Sequence, residues 1–232
     1  MILDLHPDIR IQRLTIGRER APLLVIDNFV SDPEKLVRRA VSKQFLAQPG
    51  YYPGVRADAP LSYRQLFETR LRSLLVEYFG LKGNSFRFPL CHYSLVTTPA
   101  EKLVMLQRIP HADSLDGNGL ASIHYLFKDE FGGTAFYRHR KTGFEYVDES
   151  RREVYFKAVE SENMGPNTPA AEYIDGDTPL FEQIAKQDGV FNRILIYRRN
   201  SLHCGCIDKG FVPDPNPTTG RLSINSFMEL TP

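Results

Sequence analysis

The chain has 232 residues, 42% of them apolar, and its 29 Lys and Arg against 28 Asp and Glu give a formal net charge of +1. This composition suits a globular protein with a sizeable core, and the even charge balance argues against nucleic acid or an anionic membrane as the main partner. A small molecule or a short peptide fits better. No apolar run approaches the length of a membrane span, and residues 1–10 carry Asp4, His6, Asp8 and Arg10 where a secretory signal would be basic and then apolar. Cys91, Cys204 and Cys206 are odd in number and lack a disulfide spacing, which predicts a reducing, cytoplasmic setting.

In chain order, residues 23–30 read as a strand. Ser31-Asp32-Pro33-Glu34 then supplies a cap, a proline at the first helical position and an acidic first turn, predicting a helix over 33–45. Residues 46–60 contain Pro49-Gly50-Tyr51-Tyr52-Pro53-Gly54 and read as a loop. Tyr51, Tyr52 and Arg56 are available there to lie over a pocket, although an ordinary surface loop is the simpler reading. A second helix is predicted from Ser62 to about residue 78, with Leu66, Leu71, Leu74, Leu75 and Tyr78 on one face and Gly80 past its end. Strand patterns follow over 85–97, 102–109, 121–127, 134–140, 190–197, 201–207 and 222–230. Residues 143–188 break the rhythm, with helices expected over 146–160 and 178–187. The whole therefore reads as one domain, 1–232, of mainly β (α+β) class. Residues 1–84 form an N-terminal strand and supporting helices, and 85–232 a barrel-like roll carrying the helical insertion 143–188.

His111-Ala112-Asp113, His203 and Arg221-Leu222-Ser223 carry the chemistry. Two neutral imidazoles and one carboxylate bind one face of an octahedral metal and leave the other positions open to ligands. Alternation along extended backbone puts His111 and Asp113 on one side, and likewise Arg221 and Ser223. A guanidinium with a hydroxyl beside it suits a carboxylate. If His203 faces inward, Cys204 and Cys206 face outward, which speaks against a zinc site built on them, since Cys91 is the one remaining thiolate. On the last strand Arg221, Ser223 and Asn225 share the inner face, while Leu222, Ile224 and Ser226 share the outer. His124 and His139 have no ligand spacing and read as structural or surface residues, and Arg138-His139-Arg140-Lys141 reads as a solvated strand end.

The ordered set Ile109-Pro110-His111-Ala112-Asp113, Ser122-Ile123-His124-Tyr125-Leu126-Phe127, Phe131-Gly132-Gly133-Thr134-Ala135-Phe136-Tyr137, Asn192-Arg193-Ile194-Leu195-Ile196-Tyr197 with Leu202-His203, and Gly220-Arg221-Leu222-Ser223 resembles the iron(II)/2-oxoglutarate-dependent dioxygenases, most nearly their prolyl-4-hydroxylase-like branch. The resemblance spans residues 90–228. It implies a double-stranded β-helix (jelly roll), iron(II) held by His111, Asp113 and His203, and 2-oxoglutarate as cosubstrate. Arg221 and Ser223 would anchor that cosubstrate, with Tyr125 and Tyr137 as further hydrogen-bonding candidates. Many members of the prolyl hydroxylase branch carry Lys where this chain has Arg221, and the stretch from His203 to Arg221 is long, with Pro213, Pro215 and Pro217 in it. The implied substrate is a small molecule or peptide of unstated identity, and a homo-oligomer stays open. Two rivals remain: a cupin-like metal protein without redox chemistry, and a silent scaffold of the same fold. The Arg-x-Ser pair argues against the first and the intact triad against the second.

Overall fold

The computed structural model describes residues 2–231. Its strands are β1 (Arg10–Ile16), β2 (Ala21–Asp27), β3 (Leu46–Ala47), β4 (Gly54–Asp58), β5 (Ser85–Val96), β6 (Leu120–Tyr125), β7 (Gly133–His139), β8 (Phe181–Gln187), β9 (Ile194–Arg198), β10 (His203–Cys206) and β11 (Leu222–Thr231). Eight form one large sheet in the order β1-β2-β9-β6-β11-β5-β4-β3, and the other three form a smaller sheet, β10-β7-β8. Every pairing among them is antiparallel. The two sheets face each other as a double-stranded β-helix.

Alternation sorts the large sheet into two faces. On one, Leu24, Ile26, Ile194, Ile196, Ile224 and Tyr93 pack against α1 (Pro33–Val41) and against a run made of α2 (Leu61–Leu66), a π-helical turn (Phe67–Leu71) and α3 (Arg72–Phe79). Asp32 caps α1 by accepting from Lys35 N, and Gly80 closes α3 in the left-handed conformation (φ +59°). Each large side chain buried here, Phe67 for example, stabilises the packing by about 2–3 kcal/mol. On the opposite face, Leu23, Val25, Leu195, Tyr197 and Tyr125 meet Phe136 of the small sheet. That inner space is the lumen. The outer face of the small sheet (Ala135, Tyr137, Cys204, Cys206) is covered by Tyr155 and Val159 of α4 (Arg152–Asn163).

Four expectations from the sequence need correction. Residues 102–109 form no strand but two 3-10 turns, Ala100–Lys102 and Met105–Gln107. Residues 178–187 are not a helix: Phe181–Gln187 is β8, the edge strand paired with β7. The loop 46–60 contains β3 and β4, which extend the large sheet beyond β5. Of Arg138-His139-Arg140-Lys141 only Arg140 and Lys141 are the solvated strand end expected, because Arg138 is buried against Glu145 and Glu182 and His139 is buried against Glu162. Glu145 also accepts the main-chain N–H groups of Arg18 and Glu19, and so holds the β1–β2 turn.

Candidate metal and cosubstrate site

His111 and His203 lie on different segments that meet main chain to main chain. His111 N donates to His203 O at 2.9 Å and His203 N to His111 O at 3.0 Å, an isolated antiparallel bridge. Asp113 N donates to Arg199 O at 2.7 Å. This short extended stretch keeps His111 and Asp113 on one side without a regular strand. The three ligand-capable side chains converge: their donor atoms all lie within 4.8 Å of one another. Asp113 spans the pair, with Oδ1 3.5 Å from His111 Nε2 and Oδ2 3.4 Å from His203 Nε2.

The three side chains could hold a cation. His203 Nδ1 donates to Ser201 O at 3.0 Å, which leaves Nε2 as the bare nitrogen that faces Asp113. Burial pushes the His203 imidazole down to about 4, so it is neutral at physiological pH. For Asp113 burial acts upward, but His203, His111 and Arg199 together outweigh it and hold the carboxyl below its usual range. Neutral imidazole and ionised carboxylate are the states a metal requires. His203 is 4% exposed and flanked by Tyr197, ring centroids 4.6 Å apart, whereas His111 is half-exposed and marks the mouth.

The strand registers carry the rest of the lumen wall. Ser223 lies opposite Tyr125 of β6 on one side and Ser94 of β5 on the other, and Ser94 in turn lies opposite Arg56 of β4. Arg221 is 5% exposed, and its Nε and Nη2 donate to Phe131 O and Gly133 O, each at 2.9 Å. Its guanidinium stands over the Tyr125 and Phe127 rings at 6.0 and 5.2 Å. Among the described residues it has no carboxylate partner. Gly132 makes this cradle possible: its φ is +71°, and a Cβ there would sit 2.0 Å from Cys206 O.

The structure thus brings His111, Asp113 and His203 together and lines the same lumen with Arg221, Ser223 and Tyr125. The Tyr125 hydroxyl is 2.7 Å from Thr134 Oγ1, and burial pushes its pKa up to about 12. Ser223 Oγ donates to Asn225 Oδ1 at 2.8 Å. Tyr137 is the exception. His203 is paired with Phe136, so the next residue points to the other face, where Tyr137 packs with Cys204 and Cys206. Tyr137 therefore faces away from the lumen. Tyr93 likewise points away and donates to Leu36 O. Tyr52 and Arg56, which the sequence offered as residues over a pocket but read more simply as surface loop, line this lumen, and sequence reasoning missed Ser94, Thr134 and Tyr197. The Tyr52 hydroxyl and Arg56 Nε are buried without a hydrogen-bond partner, and Arg56 lies 4.2 Å over the Tyr52 ring.

No curated protein matches this chain. Among solved structures, HygX from Streptomyces hygroscopicus, with nickel and 2-oxoglutarate bound, is similar at a TM-score of 0.53 and 14% identity, covering 93% of this chain and 87% of its own. A prolyl-4-hydroxylase from Pseudomonas putida overlaps 97% of this chain and 79% of its own, at 11% identity and a TM-score of 0.35, too loosely to add to the comparison. The likeness to HygX establishes the double-stranded β-helix and nothing about chemistry. The model of a family of unknown function, DUF6445, matches residues 7–228. The chain belongs to that family.

Proposed function

We propose that the protein is a non-haem iron(II)- and 2-oxoglutarate-dependent oxygenase acting on a small-molecule or peptide substrate. Arg221 carries the reading. A guanidinium that is 5% exposed and satisfied only by two carbonyls is costly to bury without a counter-anion. It lines the same lumen as a His-Asp-His donor set whose open positions suit a bidentate ligand. A ligand with a carboxylate at one end and a chelating 2-oxo acid at the other meets both demands. A non-redox metal roll has no use for such a clamp, and a silent scaffold has no reason to keep the three ligands convergent. Arg221 in place of the usual Lys sets the chain apart from the prolyl hydroxylase branch.

His111, Asp113 and His203 would hold iron(II), which with 2-oxoglutarate and oxygen would supply the oxidation of an unactivated C–H bond, with succinate and carbon dioxide as co-products. The protein's share is placement and protection. His203, fixed by Ser201 O, and Asp113 present lone pairs at set positions. Arg221 binds and orients the far carboxylate, with the Tyr125–Thr134 hydroxyl pair and Ser223 beside it as further donors. Tyr197 and Phe136 pack around His203 and keep water from that side. The half-exposed His111 leaves the opposite side open to a substrate. Titrating 2-oxoglutarate into nickel-loaded protein by calorimetry tests the reading: uptake in the wild type and its loss in Arg221→Ala are expected, and equal uptake by both removes its basis.

A further inference from the structure

Arg56 is a second cation in this lumen, without an ion-pair partner among the described residues. It sits on β4, opposite Ser94, on the face that carries Ser223 and Tyr125. Among the described residues its side chain makes no hydrogen bond and no ion pair, its Nε is buried without a partner, and the Tyr52 ring supports it at 4.2 Å. The neighbouring Asp58 side chain pairs with His92 instead. Asp113 is the carboxylate that acts on Arg56, and Asp113 belongs to the metal site.

Formal charge decides what Arg56 is for. With a divalent metal in place, the metal and Arg221 together carry three positive charges. Asp113 and the two carboxylates of 2-oxoglutarate carry three negative ones, and the two histidines are neutral ligands. The loaded centre is balanced without Arg56. A partly buried guanidinium with a buried, unpartnered Nε beside a neutral centre calls for one more anion.

We infer that the primary substrate carries a carboxylate or comparable anionic group, which Arg56, braced by Tyr52, binds at the mouth of the site. The planar fork of donors gives Arg56 the means to set the substrate's orientation and hence which carbon faces the metal. The same hydroxyl and guanidinium that lack partners here, Tyr52 Oη and Arg56 Nε, would gain them from that group.

This inference rests on the proposed function, and one experiment separates the two. The full chain is loaded with nickel(II) and saturating 2-oxoglutarate, and binding of benzoate and of its neutral isostere benzamide is followed by saturation-transfer NMR and calorimetry. Benzoate is expected to bind at least about tenfold more tightly than benzamide. Arg56→Gln should erase that preference, Arg56→Lys should retain part of it, and both should bind 2-oxoglutarate as the wild type does. Ligand-free Arg56→Gln should melt no lower than the wild type, because an unpaired buried charge has been removed; a structural arginine would give a lower melting temperature. Equal binding of benzoate and benzamide, no binding of benzoate, a benzoate preference that survives in Arg56→Gln, a lower melting temperature, or loss of 2-oxoglutarate in Arg56→Gln each overturns the inference. Failure of the wild type to take up 2-oxoglutarate overturns the proposed function and this inference with it.

Discussion

His124 makes a quantitative test of the fold that positions the lumen. It lies on β6 next to Tyr125, fully buried between Phe29 and Tyr63, and its Nε2 is 3.1 Å from Asn192 Oδ1. That oxygen also accepts from Val30 N, and Asn192 Nδ2 donates to Val30 O, so the amide orientation is fixed and Nε2 must carry the hydrogen. Nδ1 is left bare and without a partner. Protonating it would bury a charge and an unmatched N–H, and burial accordingly pushes the pKa from 6.5 down to about 3. Because the folded value is depressed, the unfolded chain binds the extra proton first, and stability falls as pH drops below about 6.5 and continues to fall until about 3. The loss is about 1.4 kcal/mol for each pH unit in that window, so moving from neutrality to near pH 5 removes roughly 2 kcal/mol. His124→Leu lacks this dependence. Urea unfolding of both proteins at the two pH values isolates the contribution, since other titrations cancel in the difference. The gap between wild type and variant should shift by roughly 2 kcal/mol in favour of the variant at the lower pH. A gap that does not change with pH would show that His124 titrates normally and that the buried neutral imidazole is wrong.

Further outcomes concern the site itself. His203→Ala and Asp113→Ala should abolish binding of one divalent metal per chain, read by calorimetry, while the metal should raise the melting temperature of the wild type and chelator should reverse it. Arg221→Ala should keep the metal but weaken 2-oxoglutarate by about 30-fold or more, because removing one member of a buried charge pair costs about 2–5 kcal/mol. Gly132→Ala forces a Cβ to 2.0 Å from Cys206 O at a φ of +71°. The strain is set to displace the Phe131 and Gly133 carbonyls that hold Arg221, so both the melting temperature and the affinity for 2-oxoglutarate should drop, with metal binding spared. A Gly132→Ala protein with normal cosubstrate affinity would show that the cradle does not depend on this glycine.

The helix-facing and lumen-facing sides of β11 were legible because Arg221, Ser223 and Asn225 alternate strictly with Leu222, Ile224 and Ser226, and period-2 alternation needs no knowledge of neighbours. The same holds for His203 against Cys204 and Cys206. Pairing register is a different matter. Tyr137 was read as an inner residue because nothing in its own strand says which parity faces the lumen; the pairing of His203 with Phe136 decides it. Arg56 was visible as a residue that could lie over a pocket but could not be placed for the same reason, as its position beside Ser94, Ser223 and Tyr125 exists only across three strand pairings. Strands at sheet edges were the other weak point. β8, with Glu182, Gln183, Ala185, Lys186 and Gln187, is built largely of good helix formers, and pairing with β7 overrides that preference. The short apolar run at 102–109 fits a strand by composition, yet its main chain closes on itself: Leu103 N donates to Ala100 O, and Arg108 donates through its guanidinium to Leu103 O.

In the proposed oxygenase, iron(II) at His111, Asp113 and His203 and 2-oxoglutarate at Arg221 share one centre. Adding both to the purified chain without oxygen should give a weak visible metal-to-ligand charge-transfer absorption, one equivalent of each sufficing. The absorption should vanish in Asp113→Ala and require much more 2-oxoglutarate in Arg221→Ala. A wild-type protein that binds iron(II) but shows no such absorption at saturating 2-oxoglutarate would contradict the account.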